Sequence, residues 1–424
     1  MSFCINRGAQ LLKHFSVFVN FIVHLLLYYC YTENQDMKKQ ILILVICSVA
    51  ATVYSTKKSI VCYYATWATY RLSIGKYAIS DIDATLCTHL IYAFIGVFDN
   101  GTIHILDPWL DIDSNELKDF VALRNSNPST KIMVSMGGWN EGSLSYSTIV
   151  TNGTLRATFV DNVYEFLKKY DFDGFDLDWE YPGKRGGLSS NKRDLIYLLK
   201  ELNTKLKKDN LLLSVAVAPT EKSADISYNI PEIAKNVDFI SLMTYDYHTS
   251  DESVVGHNTP LYAARTETGE NKKLNIDTSV KHWISQYVPL NKLMMGLAFY
   301  GKSYTLKDPK VVGRGAPSAG AGVAGPYTRA NGSLAYYEIC DLIKNKNWKV
   351  INDTEQHVPY AYSYDQIVAF DDVASLEEKV VYIKKHHLGG AMIYSIDTDD
   401  FQGSCGEKNP LLKTVNKILR NWST

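Results

Sequence analysis

Eight apolar runs at βα spacing, amphipathic helical stretches between them, and one long interruption rich in Gly, Pro and Tyr predict an α/β chain. The architecture they fit is a (β/α)8 TIM barrel with a small α+β insertion between the seventh and eighth strands. An open, doubly wound sheet is the rival that the alternation alone leaves standing. Composition allows either, because 424 residues, 46% of them hydrophobic and 21% charged, suffice for a large core. The 44 Lys and Arg nearly cancel the 45 Asp and Glu. With no basic excess and no basic stripe, a protein that works through phosphate contacts, and so a nucleic-acid partner, is set aside. Lys205, Lys207 and Lys208 read as a solvated helix face.

In chain order the predicted strands are residues 58–64, 88–94, 131–136, 172–180, 211–217, 238–245, 293–299 and 389–396. They are continuously apolar, as strands covered on both faces of a parallel sheet must be. Before the fourth strand, Leu155, Phe159, Val163, Phe166 and Leu167 form a helical stripe behind Thr154. After it, Leu195, Leu198, Leu199, Leu202 and Leu206 form another, behind the cap candidates Ser189 and Ser190. Asn409 is the expected cap of a last helix that Pro410 opens, with Leu412, Val415 and Leu419 on one face. Residues 303–372 read as an inserted lobe, since a structureless loop of that length is improbable. Within it, Gly320-Ala-Gly322-Val-Ala-Gly325 matches GxGxxG, but no strand feeds it and Pro326 follows where a helix should continue. No nucleotide site is expected there.

Residues 1–55 read as a leader. From Met37, two lysines precede an apolar run from Ile41 to Val53 and then small residues, the layout of a signal peptide cleaved after Ala51 or Ser55. A second apolar run, Phe15 to Tyr31, is interrupted by Ser16, Asn20 and His24 and sits at the lower limit for a membrane span. Met37 is therefore the expected start, and residues 56–424 the mature chain, without a membrane segment. Cys4, Cys30 and Cys47 fall in the leader; Cys62, Cys87, Cys340 and Cys405 can form two bridges in an oxidising compartment. Sequons at Asn100, Asn152, Asn331, Asn352 and Asn421 suit a secretory route to an extracellular location.

The chemistry lies in Asp171-Phe-Asp-Gly-Phe-Asp-Leu-Asp-Trp-Glu180. Strand alternation sends Phe175, Leu177 and Trp179 to one side, against the helices, and Asp176, Asp178 and Glu180 to the other, into the barrel. Three carboxylates are tolerated there only if they share protons or hydrogen bonds. Glu180 falls at the carboxyl end of its strand, the rim where barrel active sites sit, and the coupling can make it a proton donor. An exposed acidic turn does not explain the alternating Phe, Leu and Trp. A calcium loop does not fit the position of Gly174.

Read as Asp173, Asp176, Asp178 and Glu180 followed by Tyr181-Pro182, this segment resembles the D-x-x-D-x-D-x-E signature of family 18 glycoside hydrolases, the chitinases. Lys131 to Trp139, which includes Gly137 and Gly138, resembles the family's third-strand motif, and Met243-Thr-Tyr245-Asp246 its sixth-strand motif. Gly256 to Tyr262, Tyr300-Gly301, Ala335 to Cys340 and Gly390 to Phe401 extend the likeness over about residues 57–422. It is closest to the insect-type secreted members. The resemblance implies retaining, endo-acting cleavage of β-1,4-linked N-acetylglucosamine with the substrate's own acetamido group as nucleophile. Glu180 is then the acid and base, Asp178 orients the acetamido group, Asp176 shares its proton, and Tyr245 binds the acetamido carbonyl. Asp173 completes the catalytic signature. Tyr64, Phe94, Gly137, Gly138, Trp139, Tyr181, Met243, Asp246, Lys302 and Tyr394 are the implied substrate-binding residues. Chitin or a chitooligosaccharide is the expected partner of a monomer, with no metal, no cofactor and no separate chitin-binding module. The expected bridges are Cys62–Cys87 and Cys340–Cys405. The chain departs from the family at Tyr394, Asp251 and Ile367, where Trp is usual, at Thr249, where Gly is usual, and at Lys302, where Arg is usual.

Overall fold

The computed structural model describes residues 58–420. The expected leader and Asn421 lie outside them. Eight strands, β1 (Ser59–Ala65), β2 (His89–Val97), β3 (Lys131–Gly137), β4 (Gly174–Asp178), β5 (Leu212–Val217), β6 (Phe239–Leu242), β7 (Leu293–Ala298) and β8 (Gly390–Tyr394), pair in parallel. Each pairs with the next in the chain, and β8 pairs back onto β1, so the sheet is closed and the open-sheet rival falls. The barrel is a (β/α)8 barrel, as the apolar runs predict.

Closure creates two cores, one on each side of the sheet. Outside, Phe175, Leu177 and Trp179 pack with Phe159, Val163, Leu198 and Leu202 from the surrounding helices. Inside, Val61, Tyr63, Met133, Met243, Tyr245 and Met392 fill the barrel. The outer helices include α1 (Gly153–Tyr170), α2 (Asn191–Leu206), α3 (Val373–Lys385) and α4 (Pro410–Arg420).

The caps match those expected only in part. Asn152, not Thr154, caps α1, its Oδ1 accepting from the amides of Thr154 and Leu155. Ser190 occupies the cap position of α2 without a side-chain bond. Asn409, in the left-handed region at φ 53°, precedes α4, but the free amides of Leu411 and Leu412 are taken by the Asp399 carboxylate. A cap brought from a distant turn leaves no local signal.

The insertion is a lobe built on antiparallel strands Tyr300–Leu306, Ser318–Ala321, Ser333–Ala335, Lys349–Asp353, Val358–Ser363 and Gln366–Ala369, with one helix, Tyr336–Asn345. It begins three residues before the predicted boundary, because its first strand continues almost directly from β7. Contrary to the expectation, a strand does reach Gly320, which lies within Ser318–Ala321, but no helix follows over residues 322–332. Cys62–Cys87 ties β1 to the turn before β2, and Cys340–Cys405 ties the lobe helix to the loop before α4. Among the described residues no helix is long and apolar enough to cross a membrane.

Candidate active site

Register explains how the barrel holds the first acid. Asp176 on β4 lies opposite Ser135 on β3 and Ser214 on β5. Neighbours in register on parallel strands point to the same face, so three polar side chains meet inside. Asp176 is fully buried and accepts from Tyr63 Oη (2.8 Å), Ser135 Oγ (2.8 Å) and Ser214 Oγ (2.5 Å). Burial lifts its pKa while those three neutral donors pull it back.

Two residues on, Asp178 has no such support. It is buried, its Oδ1 has no hydrogen-bond partner, and burial plus repulsion from Glu180 and Asp176 push its pKa well above the carboxylate range. Glu180, at the rim, is raised to about 6. Burial is the main cause and Asp246 adds to it, against a hydrogen bond from Tyr181 and the charge of Arg185. The face therefore carries fewer than three charges near neutral pH, with protons held at its outer end. A carboxylic acid able to donate, beside a carboxyl oxygen awaiting a donor, is equipped for proton transfer and for orienting an amide N–H.

The neighbouring strand ends supply the walls. Gly137 sits at φ 122°, and a Cβ there would lie 2.1 Å from Asp178 O, so only glycine lets the two loops touch. The Gly138 amide donates to the same oxygen (2.9 Å). Tyr245 Oη reaches only the sulfur of Met392 (3.6 Å), a weak acceptor that leaves the hydroxyl free to change partner. Asp246 Oδ1 accepts from Tyr300 Oη (2.6 Å) and pairs with Lys302 Nζ (3.0 Å). Tyr394 forms the floor, its ring 5.9 Å from Tyr63, 5.9 Å from Tyr245 and 6.4 Å from Tyr300 between centroids. Three cavities meet over it. One of about 250 Å³ holds Asp178, Glu180, Tyr181 and Met243. One of about 510 Å³ is walled by Trp67, Phe94 and Trp139, and one of about 470 Å³ by Tyr300, Lys302 and Arg329. Tyr394 lines all three, which makes them one groove.

Most of the implied site residues converge here, but two do not. Tyr64 faces the outer core, stacked on Phe120 with its hydroxyl on Glu116; its neighbour Tyr63 is the inward one. Asp173 lies at the opposite end of the strand, accepting from the Ile132 amide and Arg124, and positions strands instead of meeting substrate. The predicted strand 389–396 would place Ile396 on the face of Met392 and Tyr394, but β8 ends at Tyr394 and a tight helical turn, Ile396–Thr398, carries Ile396 into the outer core. Ile367 is fully buried in the lobe's own core and offers the groove nothing. Sequence reasoning missed Tyr63, Ser135, Ser214 and Trp67. In a strand buried on both faces, apolar pattern does not say which face is inward; register against Asp176 would have.

A closed barrel with a buried acid face at its carboxyl rim and an aromatic groove across it is an arrangement suited to a glycoside hydrolase. The model of the glycosyl hydrolases family 18 matches residues 59–399, and the chain belongs to that family. It is a glycoside hydrolase of the chitinase family. The chain is 40% identical to the endochitinase of Manduca sexta over 91% of its own length and 72% of that protein. A crystal structure of the Ostrinia furnacalis Group IV chitinase in complex with allosamidin is similar at TM-score 0.84 and 43% identity, covering 87% of this chain and 100% of that one. Human YKL-39, described as a pseudo-chitinase with retained chitooligosaccharide binding, is also similar (TM-score 0.80, 36% identity, 86% of this chain and 100% of that one).

Proposed function

We propose that the chain is a secreted, endo-acting chitinase that cleaves β-1,4-N-acetylglucosamine linkages with retention. The observation that carries this is the graded acid face: Asp176 held by three donors, Asp178 with a free oxygen, and Glu180 raised to about 6 at the rim. Glu180 protonates the glycosidic oxygen while the acetamido carbonyl oxygen of the sugar over Tyr394 attacks C1. Asp178, its proton shared with Asp176, accepts the acetamido N–H and offsets charge on the oxazolinium. Tyr245 Oη exchanges its contact with Met392 for the acetamido carbonyl. Glu180, now ionised, deprotonates the water that opens the ring. Two bridges support an oxidising, extracellular setting.

A binding protein with little turnover is the second reading, favoured by Asp251 and Ile367 where family members carry Trp. Release of fluorophore from chitobiose and chitotriose glycosides separates the two. Turnover that Glu180→Gln lowers by about 10³ or more supports the enzyme. Oligosaccharide binding by the wild type without turnover supports the other.

A further inference from the structure

One side chain outside the acid face touches both the loop after β3 and the chain that carries Glu180. Arg185 sits at φ 50° in the loop after β4. Its guanidinium carbon lies 3.7 Å from the ring centroid of Trp139, and Nη1 donates to the carbonyl oxygens of Trp139 (2.6 Å) and Glu180 (3.1 Å). Trp139 is 59% exposed and lines two of the cavities, whereas Arg185 lines none of the three. The cation therefore backs the indole on one face and leaves another to the groove. The loop backbone is tied down through the Gly138 amide on Asp178 O and the Glu141 carboxylate on the Val97 amide, and Arg185 is the cation that stacks on the exposed indole itself.

We propose that Arg185 is a positioning residue that clamps Trp139 as a preset platform for sugar and ties that platform to the backbone of the catalytic acid. It acts through Trp139 and does not touch the reacting atoms. A planar guanidinium suits the task because it can stack on an indole and donate in its own plane at once, which an ammonium cannot. The role rests on the reading of the groove as a chitooligosaccharide site.

The test is a double-mutant cycle with Arg185→Ala, Trp139→Ala and the pair, read as KM and kcat on chitotriose glycosides. Arg185→Ala should raise KM about fivefold or more and change kcat less than threefold. In the Trp139→Ala background it should add nothing to KM, because the residue it serves is gone. Arg185→Lys should fall between wild type and Arg185→Ala. Additive effects on KM, or an unchanged KM, would overturn the clamp. A pH profile adds a second readout. The groups facing Glu180 are Asp178, Tyr181, Tyr228, Tyr245, Asp246, Tyr394 and Arg185, and removing the cation should move the alkaline limb of kcat/KM upward. Hydrogen exchange across residues 137–142 decides the clamp even if the wild type shows no turnover. Faster exchange in Arg185→Ala supports it, and unchanged exchange contradicts it. Failure of the reading of the groove as a chitooligosaccharide site would instead show as wild type without turnover or oligosaccharide binding.

Discussion

Glu180 has a pKa of about 6 because burial and the nearby Asp246 charge outweigh a hydrogen bond from Tyr181 and the Arg185 charge. A general acid must be protonated, so kcat/KM should fall about tenfold per pH unit above about 6. Asp246→Asn removes a raising charge and should shift that limb downward; a limb that stays in place separates Asp246 from the acid. At the floor, Tyr394 opens onto all three cavities and presents a narrower stacking face than an indole. Tyr394→Trp should raise kcat/KM on chitotriose glycosides about tenfold, equivalent to ~1.4 kcal/mol. Tyr394→Ala should lower it at least as far. Loss with both would mean that Tyr63, Tyr245 and Tyr300 have packed tightly around the smaller ring. At this scale the acids were legible because alternating Asp, Asp and Glu against Phe, Leu and Trp has one physical solution. Tyr63 was not, since Tyr63 and Tyr64 are equally suited to a strand buried on both faces.

All eight barrel strands were legible as elements, and their ends shifted by only a few residues. Helix starts were less so, because capping groups come from wherever the chain returns. Asp399 shows the cost of that. It is fully buried, accepts from the amides of Asp400, Leu411 and Leu412, and still has its pKa pushed up to about 7 by burial. The folded state thus keeps a proton that the unfolded chain loses above about pH 4. The stability this group contributes is complete below about pH 4 and declines as pH rises to about 7. Asp399→Asn should flatten the fall of Tm over that window, and Asp399→Ala should cost about 1–2 kcal/mol through loss of the α4 cap. A parallel pH dependence in wild type and Asp399→Asn would place the titration elsewhere.

For the whole molecule, the two bridges span different lengths of chain, 25 residues for Cys62–Cys87 and 65 for Cys340–Cys405. Loop-closure entropy makes the longer one worth slightly more, within a range of about 2–4 kcal/mol each. Replacing Cys340 and Cys405 by Ser should therefore lower stability at least as much as replacing Cys62 and Cys87, by denaturant titration. The reverse order would point to packing around β1 instead of chain entropy. The lobe was legible as an α+β insertion but not strand by strand, because its antiparallel strands are short and many of its side chains pack on one another. The same barrel supports both turnover and mere binding in this family, so the central claim is chemical and concerns how the bond breaks. The anomeric configuration of the first product, followed by proton NMR during hydrolysis of a chitooligosaccharide by the purified chain, tests it most directly. An acetamido nucleophile working with Glu180 and Asp178 predicts the β-anomer first, with the α-anomer appearing only as mutarotation proceeds. An initial α-anomer, or no product at all, would contradict it.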